Sequence, residues 1–135
     1  MYAQPVHPDY LQNTWPVVKD WLEAGLAHGA GEYNVDQLKV MIMRGDNHLV
    51  VMLSDSDEPV GACTVAFENF PNARIAFVTS IGGKGLSDLS LLESFSEWCR
   101  ANGCTSIRGA VRPAVAALVK IFGFEQRYII VEHQL

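Results

Sequence analysis

Arg74-Ile-Ala-Phe-Val-Thr-Ser80, followed through Ile81 by Gly82-Gly-Lys-Gly-Leu-Ser87, is the stretch whose reading decides the fold. The first part is apolar and β-branched and reads as a strand. The second reads as a glycine-rich turn, and Leu89, Leu92, Phe95 and Cys99 then recur at helical spacing. A strand that feeds glycines into a helix start aims backbone N–H groups at an anion such as a phosphate. Glycines let the chain approach that anion closely and take up positive φ.

Outward from this stretch the pattern is regular. Tyr2 to Val6 reads as a short edge strand limited by Pro5 and Pro8. Thr14 is the expected cap of a first helix, with Pro16 in its first turn and Trp15, Val18, Trp21, Leu22 and Leu26 on one face. Asn34, with Gln37 three residues on, caps a second helix that stops at Gly45. His48–Leu53, Val60–Phe67 and Arg74–Ser80 read as three antiparallel strands joined by the polar turns Ser54–Pro59 and Asn69–Asn72. After the third helix, which ends at Asn102-Gly103, Thr105–Val111 is a strand. Pro113 opens a helix stopped by Gly123, and Glu125–Glu132 is a final strand. The predicted order is β-α-α-β-β-β-α-β-α-β, an α+β single domain over residues 1–135 with helices on both faces of a mainly antiparallel sheet.

Composition narrows the function. Across 135 residues, 49% hydrophobic and 19% charged residues are globular proportions and exclude disorder. No apolar run approaches the roughly 20 residues of a membrane span, and no signal-peptide pattern opens the chain. The formal net charge of −5 argues against a nucleic-acid partner. That charge lies in residues 1–83, with four Lys/Arg against ten Asp/Glu; residues 84–135 carry six against five. Cys63, Cys99 and Cys104 form no CxxC pair and read as reduced thiols of a cytoplasmic protein. No histidine has metal-ligand spacing, and no cysteine has a histidine partner for nucleophilic chemistry. Glu68, at the end of the third strand, is the leading candidate base, with His48 second.

The element order, the glycine turn and the Gly123-Phe124 helix end resemble the GCN5-related N-acetyltransferases. The family's pyrophosphate loop, Arg/Gln-x-x-Gly-x-Gly/Ala, matches Gly82-Gly-Lys-Gly-Leu-Ser87 on Gly85, with Gly82 in place of the Arg or Gln and Ser87 in place of the last small residue. The resemblance implies a coenzyme A thioester, acetyl-CoA or another acyl-CoA, held by Phe77, Val78, Thr79, Gly82, Gly83, Lys84, Gly85, Leu86, Ser87 and Arg112. It implies too that the fourth and fifth strands splay apart, between Phe77–Ser80 and Ile107–Val111, to admit the pantetheine arm. The family's general-acid tyrosine falls on Val119, which cannot donate a proton; Tyr128 is the stand-in read from the sequence. The acceptor would be a small amine or a protein amine attacking the thioester directly. Gly82-Gly-Lys84, Trp98-Cys-Arg100, Gly103-Cys104 and Gly109 with Arg112 further resemble small acetyltransferase-like proteins of tailed bacteriophages. That resemblance implies the host cytoplasm or the virion as location. The alternative to an enzyme is a degenerate member of the fold serving as a binding or structural module, as a homo-oligomer or among virion proteins.

Overall fold

Asn34 accepts a hydrogen bond from the Gln37 N–H at 2.9 Å, and the Gln37 side chain accepts one from the Asn34 N–H at 2.9 Å. This reciprocal pair satisfies two of the otherwise orphaned donors at the start of a helix. It opens α2 (Val35–Arg44), which Gly45 closes at φ 83°. The computed structural model describes residues 1–84 and 87–135. Before α2 come β1 (Tyr2–Val6), a 3₁₀ turn at Pro8–Tyr10 and α1 (Leu11–Leu26). After it come β2 (His48–Leu53), β3 (Pro59–Phe70), β4 (Ala73–Gly83), α3 (Leu89–Ala101), β5 (Ser106–Gly109) and α4 (Pro113–Val119), which runs into a 3₁₀ turn at Lys120–Phe122.

The five strands form one sheet in chain order, β1-β2-β3-β4-β5, antiparallel except for the parallel pair β4–β5. The sheet is therefore the expected mixed one with helices on both faces. Strand β2 shows how the layers are built. Leu49 and Val51 join Leu22, Leu38 and Ile42 of α1 and α2 on one face. Val50 and Met52 join Leu91, Phe95 and Cys99 of α3 on the other. An uninterrupted apolar strand is what burial on both faces demands.

Helix α1 starts earlier than expected. Thr14 lies inside it and bonds back to the Tyr10 carbonyl at 2.9 Å. Burial of Leu11 and the turn set by Pro8, with the His7 ring accepting from the Asp9 N–H, outweigh the capping preference of Thr14. Pro16 is exposed, so the carbonyl deprived of a partner by its ring lies on the watered side of the helix.

The largest correction concerns the glycine turn. Gly82 and Gly83 are strand residues of β4, opposite Ala62 and Gly61 of β3. A Cβ on Gly82 would lie 2.1 Å from the Trp21 carbonyl oxygen of α1. On the facing side, a Cβ on Gly25 would lie 2.5 Å from the Ile81 carbonyl oxygen. Between them the buried Ser80 hydroxyl donates to the Leu22 carbonyl at 2.8 Å. These glycines therefore let a helix backbone rest on a strand backbone. Asp88 caps α3, its carboxylate accepting from the Leu91 N–H at 3.1 Å.

The final strand is also not as expected. Residues 125–132 pair with no strand among the described residues and are exposed throughout. The strand to receive them would be β5, which is four residues long, and no residue of the intervening α4 is buried to hold them there.

Replacing Gly82 by Ala is expected to destabilise the protein by about 2–3 kcal/mol, since two backbones would have to part. Gly109→Ala, where an added Cβ meets nothing within 4 Å, is the near-neutral control. Urea unfolding checks both: the midpoint falls for the first alone, at unchanged slope. Asn34→Ala should lower the same midpoint by the equivalent of about 1 kcal/mol through loss of the cap.

Candidate functional site

Strand β4 is paired on both sides only as far as Val78. Its parallel register with β5 ends at Val78 opposite Gly109, and the chain then leaves through Ala110 and Val111 towards α4. On the other side the β3–β4 register slips: Thr64 faces Ser80 while Val65 faces Val78. Thr79 is thus the extra residue of a bulge, and bulges interrupt the ladder and re-aim a side chain. From Thr79 onward β4 presents an open edge, a row of backbone donors and acceptors of the kind that an extended amide-bearing chain can complete.

The splay makes a cleft of about 130 Å3. Thr79, Ser80 and Ile81 form its floor, Gly109 to Val111 one wall, and the loop between α1 and α2, with Glu32 and Tyr33, the other. The Thr79 hydroxyl donates to Asn47 Oδ1 at 2.6 Å and lies 2.7 Å from the Thr64 hydroxyl. Asn47 is buried, and its Nδ2 has no hydrogen-bond partner among the described residues. Tyr33 stands beside Thr79. Burial pushes the Tyr33 phenol above its ordinary pKa, the nearby Thr79 hydroxyl opposes that, and the Glu32 carboxylate adds to it. At neutral pH Tyr33 is therefore a protonated phenol able to donate, with a carboxylate as its chain neighbour.

Of the residues read from the sequence as cofactor contacts, Val78 and Thr79 line this cleft. Phe77 is one step earlier, paired with Arg108. Gly82 and Gly83 are used in packing, and the Lys84 N–H extends the ladder to the Val60 carbonyl at 2.8 Å while its side chain is exposed. Gly85 and Leu86 lie outside the described residues; Ser87 is exposed. Arg112 is exposed at the start of α4, one residue past the cleft wall, and makes no cap with its side chain. At the N-terminus of α3 the Asp88 carboxylate takes the Leu91 N–H. The Ser90 hydroxyl, then that N–H, hold its pKa below the usual range, and the Met1 ammonium lies 3.7 Å away. The helix end expected to meet a phosphate thus carries a negative charge of its own.

The candidate bases and acid are not brought together. Glu68 is exposed opposite Ile75, four residues and about 13 Å along the strand from Thr79. Tyr128 is exposed on the C-terminal segment and does not line the cleft. His48 is on the α3 face, its ring 4.7 Å from Phe67 and 6.4 Å from Trp98. Burial, and then the charge of Arg74, hold His48 below its ordinary pKa, as befits a neutral packed imidazole. The thiols of Cys63 and Cys99 are pushed up to about 12 by burial and stay protonated. Sequence reasoning missed Glu32 and Tyr33 because they fall in what reads as a helix-stop segment. The available signal was an acid and a phenol directly before the Asn34 cap, which fixes where that segment ends.

No family profile and no curated protein sequence matches the chain. Solved structures do. A probable acetyltransferase superposes with a TM-score of 0.67 at 14% identity, over 100% of this chain and 97% of its own. AAC(6')-Iy, in complex with the bisubstrate analogue CoA-S-monomethyl-acetylneamine, gives 0.65 at 13% identity, over 98% of this chain and 96% of its own. The aminoglycoside 6'-N-acetyltransferase AAC(6')-Ih of Acinetobacter baumannii gives 0.62 at 13% identity, with the same coverage. At full length, and at identities too low to carry more than architecture, this chain has the fold of the GCN5-related acetyltransferases.

Proposed function

We propose that this protein is an acyl-CoA-dependent N-acyltransferase, with acetyl-CoA as the first donor to try and an amine as acceptor. The observation that carries the reading is the open edge of β4 at the Thr79 bulge. An extended pantetheine arm carries two amides, and their donors and acceptors are what such an edge lacks. A relative by fold, AAC(6')-Iy, is solved with a molecule that joins coenzyme A to an amine substrate.

In this reading the neutral amine attacks the thioester carbonyl carbon, a C–N bond forms, and the C–S bond then breaks. The departing thiolate takes one proton and the new ammonium loses one. Tyr33 is the proposed donor to the thiolate, in place of the acid that Val119 cannot supply. Glu32 is the proposed acceptor of the amine's proton, replacing Glu68. Positioning and polarisation of the carbonyl by backbone N–H groups do the rest, and no covalent intermediate is needed. A coenzyme A thioester as donor fits a cytoplasmic protein; the solved structures of similar fold lend no support to the phage resemblance read from the sequence.

A second reading, a binding or structural module that keeps the fold without the reaction, is favoured by Asp88, whose charge opposes a phosphate at α3. Calorimetric titration separates the two. The enzyme reading expects one acetyl-CoA per chain with a Kd on the order of micromolar to hundreds of micromolar. Asp88→Asn, which keeps the cap, should tighten it about two- to five-fold. A folded protein that binds no acetyl-CoA would overturn the reading in favour of the module. Where a panel of primary amines yields acetyl-CoA-dependent thiol release, Tyr33→Phe should lower kcat by about 100-fold or more with little change in the KM for acetyl-CoA.

A further inference from the structure

Glu32 and Tyr33 border two depressions. On one side they wall the cleft above Thr79; on the other, with Gln37, Val40, Met41 and Arg44, they line a groove of about 460 Å3. Among the described residues no other is common to both. The pair is therefore a ridge, and a molecule in the groove meets one in the cleft across it. Helix geometry orders the groove. Gln37, Val40, Met41 and Arg44 lie at i, i+3, i+4 and i+7 of α2, one stripe along its surface. The core takes Val35, Leu38 and Ile42 from this helix, so packing does not call for a valine at position 40, which is 50% exposed.

Charge divides the ends of the groove. Glu32 brings a carboxylate to the ridge, and Arg44 brings a guanidinium to the far end. Between them Val40 and Met41 are apolar, and the Gln37 side chain is engaged with the Asn34 N–H. The Arg44 Nε lies 3.4 Å from the Asp46 carboxylate, with the two side chains 71% and 51% exposed. So exposed an ion pair contributes little. A ligand carboxylate that takes two guanidinium N–H groups at once displaces it. The groove thus offers a place for a cation at the ridge, an apolar run, and a place for an anion beyond it.

We propose, resting on the acyltransferase reading, that the acceptor is an ω-amino carboxylate, a primary amine joined to a carboxylate by an apolar chain. Its amine stands at Glu32 and Tyr33, its chain lies over Val40 and Met41, and its carboxylate binds Arg44. The amine nitrogen takes the acyl group, losing one proton to Glu32, while the coenzyme A thiolate leaves and gains one from Tyr33. The length of the chain follows from the helix. Asn34 and Arg44 are ten residues apart, about 15 Å at 1.5 Å per residue. The Arg44 side chain shortens that to about 10 Å where it reaches back along α2. An extended chain advances about 3.5 Å per three bonds, so about eight to twelve carbons fit. The charges also set direction and selectivity: a reversed ligand meets Glu32 with its carboxylate, and a diamine meets Arg44 with an ammonium.

Binding is measured first, without acetyl-CoA, on protein labelled at its methionine methyl groups, with Met41→Leu assigning the Met41 signal. Titration with 8-aminooctanoate should move that signal saturably, and octylamine should bind about tenfold more weakly. Arg44→Gln should erase the difference between the two ligands. Asp46→Asn, which frees the guanidinium, should widen it by about two- to five-fold. Turnover is measured second, as acetyl-CoA-dependent thiol release with ω-amino carboxylates from 4-aminobutanoate to 12-aminododecanoate. The rate should peak at about eight to twelve carbons, and 1,8-diaminooctane should have a kcat/KM about tenfold or more below that of 8-aminooctanoate. An unmoved Met41 signal in folded protein, or equal binding of octylamine and 8-aminooctanoate, would overturn the proposal. So would acetyl-CoA binding with no thiol release from any member of the series, which leaves the acyltransferase reading standing. Ligand-dependent movement of Met41 in a protein that binds no acetyl-CoA would support the groove's ligand and sink the acyltransferase reading instead.

Discussion

Helix α1 meets strand β4 with almost nothing between the two backbones. Gly25 and Gly82 remove the side chains that would separate them, and the Ser80 hydroxyl bonds to the Leu22 carbonyl in the gap. Most helix–sheet contacts are padded by side chains and can slide. This one is fixed to within a fraction of an ångström by the van der Waals radii of carbonyl oxygens and by one buried hydrogen bond. The end of α1 leads directly into the loop that carries Glu32 and Tyr33, so the same contact fixes one wall of the cleft. It also explains why Gly82 stands where the related pattern has an Arg or Gln. Any side chain there would have to pass through the Trp21 carbonyl.

Much of this was legible along the chain, and the exceptions share a cause. The bounds of α2, the strand β2 and the stop at Gly123 follow from residues a few positions apart: the Asn34–Gln37 box, a continuous apolar run, a left-handed glycine. The role of Gly82 depends on Trp21, far away in sequence, and no local pattern carries it. A glycine needed for close packing and a glycine needed for a phosphate look alike in one dimension. The same ambiguity affected Glu68. A strand-end carboxylate reads as a candidate base until the register shows how far it lies from the splay. The splay itself was anticipated between the fourth and fifth strands. Its bulge at Thr79 was not, because a register slip has no sequence signature at a threonine.

The cleft concentrates polar groups in a way the rest of the sheet avoids. Thr64, Thr79 and Asn47 form a part-buried hydroxyl–amide chain behind the bulge, and Asn47 Nδ2 has no partner among the described residues. An orphaned buried donor costs about 1–3 kcal/mol. Retaining one beneath the register slip of the β3–β4 ladder makes sense if the slip has a use. Donation from the Thr79 hydroxyl to Asn47, with the Thr64 hydroxyl beside it, fixes the direction of the network under the cleft floor.

A proton donor is useful only if its position is fixed, and this decides between the two places where one could stand. Position 119 belongs to α4, none of whose residues is buried. A tyrosine there would depend on whatever anchors α4 and the segment that follows it. Tyr33 sits between the end of α1, held by the glycine contact, and the Asn34 cap of α2, held by two reciprocal hydrogen bonds. Catalytic placement tolerates errors of about half an ångström. A phenol directly before a capped helix start has a better-fixed backbone than one on a helix with no buried residue. If the protein transfers acyl groups, the loss of a tyrosine at Val119 is therefore no loss of chemistry. Under the proposed function the donor stands not on the C-terminal segment, which the cleft meets only at its root, but on the side of the cleft that leads from the glycine contact.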